Sequence, residues 1–298
     1  LLNACGYSVS REYYINDVGI QMQNLGRSLY LRYLQLLKKE VAFPDGLYRG
    51  EYMFAIAKDV MLKQGTRLAE MPEDAAIPWC TEFAASCILN GIKEDLDLFG
   101  VYFDVWFSEK TLFDSGAVQQ ALQQFRQNDL AYEADGALWF RTTRFGDDKD
   151  RVTIKEDGKT TYFASDIAYH KNKFDRGFQT TIDIWGADHH GYVPRLSAVL
   201  KAMGLPDDAL HVILVQMVNL LRDGKPVAMS TRGGEFVTLR EVIDEVGRDA
   251  ARFMFLTRRS DAQLDFDLAV AKKQSDENPV YYVQYAHARI CSIIAFAE

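Results

Sequence analysis

Residues 181–204 read TIDIWGADHHGYVPRLSAVLKAMG, and the fold turns on this stretch. TIDIW has the β-branched and aromatic texture of a strand, and GYVPRLSAVLKAMG reads as a helix. Between them lie Asp188, His189 and His190. In open α/β sheets, ligands bind beyond the carboxyl ends of strands, where loops and helix N-termini converge. Its position therefore makes this a ligand loop. The tripeptide alone fits a metal site, a catalytic cluster or a pocket that needs no metal.

Upstream, TTYFA (160–164) leading into SDIAYHKNKF (165–174) reads as a second strand–loop–helix unit. Downstream, HVILVQMVNLL (211–221) reads as a further buried strand, which points to an α/β sheet with parallel neighbours. ALWFRTT (137–143) and RVTIK (151–155) read as strands, with Asp157-Gly158 as a hairpin turn. Three helical runs precede these, at 21–39, 50–64 and 80–100, the last ended by Gly100. VYFDVWF (101–107) alternates as a strand does. The last 60 residues read as wholly helical. Thr238 and Glu241 form a capping box for LREVIDEV, which stops at Gly247, and Val283, Ala286, Ile290 and Ile294 mark one face of the final helix.

The 298 residues are 48% hydrophobic and 26% charged, ordinary for a globular protein with ample core. A net charge of −8 argues against non-specific polyanion binding while leaving room for a local basic groove. Cys5, Cys80, Cys87 and Cys291 show no ligand spacing, which suits a reducing cytoplasmic setting. No apolar run approaches the roughly 20 residues of a membrane helix, so no membrane association is expected. The chain opens on Leu1 and closes within a helical pattern, so a fragment of a longer protein is expected.

The candidate chemistry lies in two loops and one further segment. Tyr162 and Asp166 fall at a strand end and the first turn of the following helix, and Asp188, His189 and His190 fall at the equivalent place in the next unit. The plainer readings are a core tyrosine, a carboxylate favoured by the helix dipole, and neutral capping. A metal reading needs three or four converging ligands, and His170, His211 and His287 stand in no paired pattern. In RDGKPVAMSTRGGEFVTL (222–239), Asp223-Gly224 reads as a hairpin turn. The hydroxyls, arginine and glycines of 229–234 suit either a phosphate chain or an exposed connector.

Taken together, REYYINDVGIQMQNLGRS (11–28), DGALWFRTTRFGDDKDRV (135–152), TYFASDIAYH (161–170), IWGADHHGYVPR (184–195), VGRDAARFMFL (246–256) and LDFDLAVAKKQSDENPVYYVQYAHARI (264–290) resemble the arginyl-tRNA synthetases, class I aminoacyl-tRNA synthetases of bacterial type. The resemblance is collinear over essentially the whole chain. It implies an incomplete class I synthetase Rossmann-type catalytic domain with an inserted α+β connective domain and the start of an α-helical domain. The implied division is 1–16 as a remnant of the first catalytic half, 17–135 as the insertion, 136–235 as the second catalytic half, 236–278 as a helical linker contacting the tRNA stem, and 279–298 as the first helix of an anticodon-binding domain.

The resemblance also implies the chemistry: L-arginine, ATP with Mg²⁺ on its phosphates, and tRNA(Arg) as substrates, no structural metal, and a cytoplasmic monomer. It assigns Tyr162, Asp166 and His189 to arginine, and Gly186, Asp188, Met217, Val218 and Met229 to ATP. Ser230 and Arg232 fall to the catalytic phosphate loop. A planar guanidinium suits a bidentate carboxylate, so an aspartate at 166 is chemically apt. Two departures stand out. The two-histidine class I signature is absent, so part of the arginine pocket is expected to be missing and the 298 residues alone inactive. The Lys-Met-Ser-Lys-Ser loop reads Ala228-Met229-Ser230-Thr231-Arg232, leaving Lys225 and Arg232 as the nearby cations. Two other readings compete. A metal-dependent phosphoesterase of the Asp-His-His type would need further aspartates, for which Asp265 and Asp267 are the candidates; a non-catalytic tRNA-binding module would need no chemistry.

Overall fold

The computed structural model describes residues 1–227, 237–273, 275 and 278–297. Its helices are α1 (Ile20–Leu36), α2 (Glu51–Gln64), α3 (Glu73–Phe99), α4 (Lys110–Asp114), α5 (Ala117–Gln127), α6 (Tyr162–Asp175), α7 (Val193–Ala202), α8 (Leu239–Val246), α9 (Arg248–Leu256), α10 (Leu268–Ala271) and α11 (Pro279–Ala297). Its strands are β1 (Glu12–Ile15), β2 (Val105–Ser108), β3 (Ala131–Ala134), β4 (Ala137–Phe140), β5 (Arg151–Ile154), β6 (Thr181–Gly186), β7 (Leu210–Val215), β8 (Val218–Arg222), β9 (Lys225–Pro226) and β10 (Leu264–Asp267). The chain divides into two compact units. One holds Leu1–Asn16, Val105–Met217 and Arg259–Gln263; the other holds Asp17–Asp104, Val218–Arg258 and Leu264–Glu298.

In the first unit, β1 pairs with β2 and β6 with β7, both in parallel, while β3, β4 and β5 form an antiparallel sheet. Asp135 and Gly136, at φ 52° and 73°, close the two-residue β3–β4 hairpin with the left-handed backbone that turn demands. The core gathers Leu112, Phe125, Phe140, Phe163, Ile167 and Leu196. From α5 it takes Val118, Ala121, Leu122 and Phe125, one face of a helix at three- and four-residue spacing. Residues 105–135 lie in this unit.

Two readings need correction here. The Asp157-Gly158 turn forms, with the Lys155 amide donating to the Lys159 carbonyl at 2.8 Å, but TTYFA is no strand. Only Thr160 makes a bridge, to Ile154, and α6 begins at Tyr162 after an extended Thr161. Phe163, Ile167 and the alanines beside them bury at helical spacing, and that period prevails over the local β propensity. HVILVQMVNLL is not one buried strand either. It breaks at Gln216, whose amide donates to the Ser260 carbonyl, and β7 and β8 enter different sheets. Ile182, Ile184, Ile213 and Val215 lie on an exposed face of the β6–β7 pair, and the helix-bearing side carries Asp183 and Trp185.

The second unit packs α1 against α2 and α3. Tyr33 is fully buried, and its hydroxyl donates to the Gly65 carbonyl at 2.7 Å. Gly26 is where α1 meets α3: a Cβ there would lie 1.9 Å from Thr81 Oγ1 and 2.8 Å from the Ile77 carbonyl oxygen. Gly100, at φ 73°, ends α3 as expected. Asp223-Gly224 forms the anticipated hairpin between β8 and β9, and the Thr238–Glu241 capping box is present.

The C-terminal part is not wholly helical. β10 intervenes and pairs in parallel with β8, with Leu264 and Phe266 buried and Asp265 exposed, the alternation of a strand. Asp267 then caps α10 through the Ala269 amide. In α11, Val283, Ile290 and Ile294 are exposed. No described helix is long and apolar enough to cross a membrane.

Candidate functional site

β6 delivers the chain at Gly186 into a 3-10 turn, Ala187–Tyr192, which runs directly into α7 with Pro194 at its start. A Cβ on Gly186 would fall 2.5 Å from Asp188 Oδ1, so glycine lets this carboxylate fold back over the strand end. His189 Nδ1 lies 3.1 Å from Asp188 Oδ1, and since a carboxylate only accepts, that nitrogen carries the proton. Asp188 and His189 remain 75% and 62% exposed, accessible to a ligand. His190 turns its Nδ1 back onto the Ala187 carbonyl at 3.1 Å and so braces its own turn.

Tyr162 and Asp166 are i and i+4 on α6, hence on one face of it. Tyr162 is the first helical residue and 67% exposed. Asp166 lies in the second turn rather than the first, so a helix-dipole role is not what fixes it. It accepts a hydrogen bond from the Tyr192 hydroxyl at 2.5 Å. Burial pushes the Asp166 carboxyl above the usual carboxylate range and Asp183 adds to this, while the Tyr192 hydrogen bond, His170 and Lys173 pull the other way. Tyr192 is itself clamped. Phe163 and Trp185 meet its ring edge-on at 6.1 and 5.9 Å, and the Arg195 guanidinium stands 4.7 Å from the ring centre. Tyr192 thus ties the 187–192 turn to α6.

Beneath this pair lies a buried polar cluster. Asp183 accepts from His170 Nε2 at 2.7 Å and from Lys173 Nζ at 2.8 Å, and His170 Nδ1 faces the Asp166 carbonyl at 2.8 Å. The Lys173 ammonium also approaches His170 Nε2, at 3.4 Å. Burial alone would raise the Asp183 carboxyl, but the bonds and charges of His170 and Lys173 outweigh it and hold it at about 2. Further along α6, Glu12 of β1 accepts from the Tyr169 hydroxyl and from Arg176 Nη1 at 2.7 Å. Sequence reading missed this cluster. Its one signal is Asp183, a charge in the middle of an apolar strand, at a position that must face the helices if Ile182 and Ile184 do not.

The other expected residues are dispersed or lie elsewhere. Met217 follows β7 and is 71% exposed, and Val218 opens β8 in the second unit. Met229, Ser230 and Arg232 lie outside the described residues. Among the described residues no group of three or more His, Cys, Asp or Glu side chains is placed to hold a metal. Asp265 accepts from Asn219 Nδ2 at 2.8 Å, and Asp267 caps α10 and accepts the Gly224 amide at 2.7 Å. Both aspartates thus help hold the fold, and neither belongs to a metal-holding cluster among the described residues.

A parallel strand–turn–helix unit with a carboxylate-bearing helix beside its strand end defines a Rossmann-type, ligand-binding class of domain. The chain belongs to the family described as tRNA synthetases class I (R), catalytic domain, whose profile matches residues 1–280. Arginine–tRNA ligase of Syntrophotalea carbinolica is 60% identical over all 298 residues, and that of Geobacter sp. strain M21 is 59% identical; each alignment spans 54% of the relative. The chain therefore spans about half the length of the curated relatives it matches. A Campylobacter jejuni structure assigned as an arginyl-tRNA synthetase superposes with a TM-score of 0.90 at 40% identity, covering 99% of this chain and 64% of that one. The Thermus thermophilus arginyl-tRNA synthetase superposes at 0.71 with 21% identity, over 100% of this chain and 59% of that one, a likeness of fold. The fold is the mixed α/β one of class I synthetase catalytic domains.

Proposed function

We propose that this chain is the catalytic part of an arginine–tRNA ligase. The observation that carries the reading is the 60% identity to a curated arginine–tRNA ligase over every residue of the chain. The geometry supports it, with a half-buried aspartate and an exposed tyrosine one turn apart on α6. In this reading Asp166 grips the substrate guanidinium through paired charge-assisted hydrogen bonds, Tyr162 lies against its plane, and His189 contacts the bound arginine. That fork rejects lysine, whose ammonium cannot fill it. Asp188, with Gly186 giving it room, accepts from the ATP ribose hydroxyls, and the backbone at Met217 and Val218 meets adenine. Met229 borders the nucleotide, and Ser230 and Arg232 serve the phosphates, with Mg²⁺ arriving as part of the Mg·ATP substrate.

No protein nucleophile is required. The arginine carboxylate attacks the α-phosphorus of ATP and pyrophosphate leaves; the 2′-hydroxyl of the terminal tRNA(Arg) adenosine then takes the arginyl group and AMP leaves. The chain's contribution is positioning and electrostatic stabilisation. A cytoplasmic monomer and the division at residues 16, 135, 235 and 278 belong to the same reading. The test is ATP–pyrophosphate exchange by the natural protein that carries residues 1–298. Exchange that requires arginine and is supported by tRNA(Arg) is expected. Exchange no better with arginine than with lysine overturns the proposal.

A further inference from the structure

Tyr192 belongs neither to the arginine-binding pair nor to the Asp188–His189 pair, yet it touches the elements that carry both. It closes the 3-10 turn that bears Asp188 and His189, and its hydroxyl reaches Asp166 Oδ2 on α6. Its ring is fixed on three sides by Phe163, Trp185 and Arg195. A phenol held this firmly is a poor rotor, so its hydroxyl dictates where the carboxylate it bonds must lie. A carboxylate has two oxygens, and Tyr192 engages one of them, which sets the plane in which the other faces a ligand.

Resting on the arginine reading above, we infer that Tyr192 is the positioning residue for Asp166: it orients the carboxylate toward the substrate guanidinium and ties that contact to the nucleotide-facing turn. Phenylalanine at 192 keeps the ring and removes only the donor. Asp166 then sits in the same half-buried place without its orienting bond. The charged groups around it are His170 and Lys173 of α6 and Asp183 of β6, with Arg195 of α7 and Arg151 of β5 acting on Tyr192. None of these replaces the lost hydrogen bond in the structure, so the carboxylate holds its proton to higher pH.

The experiment compares wild type, Tyr192→Phe, Asp166→Asn and the double variant of the natural protein carrying residues 1–298, by arginine- and ATP-dependent pyrophosphate exchange across pH and by thermal melting. Tyr192→Phe is expected to raise the arginine KM roughly 10- to 100-fold with the ATP KM within about twofold. The acid limb of kcat/KM for arginine should move to higher pH. In the Asp166→Asn background the same change should add little, since two residues acting through one contact are not additive. An unchanged arginine KM, or equal rises in both KM values with an unmoved acid limb, overturns the inference. If Tyr192→Phe fails to fold but the double variant folds, the lost bond acted through the Asp166 charge and the inference stands; if neither folds, Tyr192 is structural and the inference falls. A wild type without arginine-dependent exchange overturns the underlying reading, and this inference with it.

Discussion

At the scale of single residues, the decisive property of Asp166 is that burial works against its charge while the proposed substrate needs that charge. The carboxyl is raised by burial, with Tyr192, His170 and Lys173 opposing. A guanidinium arriving beside it supplies a further counter-charge, so affinity comes from pairing a group whose charge burial disfavours. Asp166→Ala in the natural protein should therefore cost about 3 kcal/mol of arginine binding or more, roughly a 100-fold rise in arginine KM. The ATP KM should change little, and steady-state exchange with each substrate varied in turn reads both. Equal rises would detach Asp166 from the guanidinium. The ionised form is the binding form, so arginine affinity gains as pH rises through this raised pKa and fades below it.

At the scale of elements, α6 is fastened to β6 by ions rather than by oil alone. Asp183 is 8% exposed and holds His170 and Lys173 at 2.7 and 2.8 Å. Asp183→Asn keeps the shape but leaves the buried Lys173 ammonium, and the His170 ring beside it, facing an amide, which should cost about 3 kcal/mol. The first unit's melting midpoint should fall by roughly 10 °C, as thermal unfolding would show. Asp183 titrates at about 2 in the folded chain against 3.8 ordinarily. Its contribution is thus present above pH 4 and lost as pH falls toward 2, a loss of roughly 2 kcal/mol that the asparagine variant should lack. An unchanged midpoint and acid profile would show that the cluster does not hold α6 down.

The same elements show what a sequence makes legible. The strand–turn–helix order around Asp188, the helices ending at Gly100 and Gly247, and the Asp-Gly hairpins announce themselves through local chemistry that acts within a few residues. TTYFA misleads because its β propensity is local while the helical burial of Phe163 and Ile167 is tertiary. β10 was hidden by brevity: Leu-Asp-Phe-Asp alternates over only four residues beside helix-forming neighbours. Of the candidate site, position after a strand end could be read directly. The Tyr192–Asp166 and Asp183–His170–Lys173 contacts could not, because residues 26 and 13 apart meet only after the chain has folded.

At the scale of the whole molecule, the two compact units draw on separate buried clusters, and Gly26 and Asp183 are levers on different ones. Alanine at Gly26 places a methyl 2.8 Å from the Ile77 carbonyl, a backbone atom that cannot swing aside as Thr81 can. The better helix propensity of alanine returns at most about 1 kcal/mol, and overpacking costs about 1–3, so a net loss is expected. Trp106, Trp139 and Trp185 lie in the first unit and Trp79 alone in the second, so tryptophan fluorescence weighs the first unit. Far-UV circular dichroism weighs the helices, and α1, α2 and α3 lie in the second unit. Gly26→Ala should thus lower the dichroism midpoint while leaving fluorescence nearly in place, and Asp183→Asn should move fluorescence more. Adding Thr81→Ala should recover only part of the Gly26→Ala loss, because the Ile77 carbonyl remains. If both variants shift both probes equally, the chain unfolds as one cooperative body and the two clusters are not independent sources of stability.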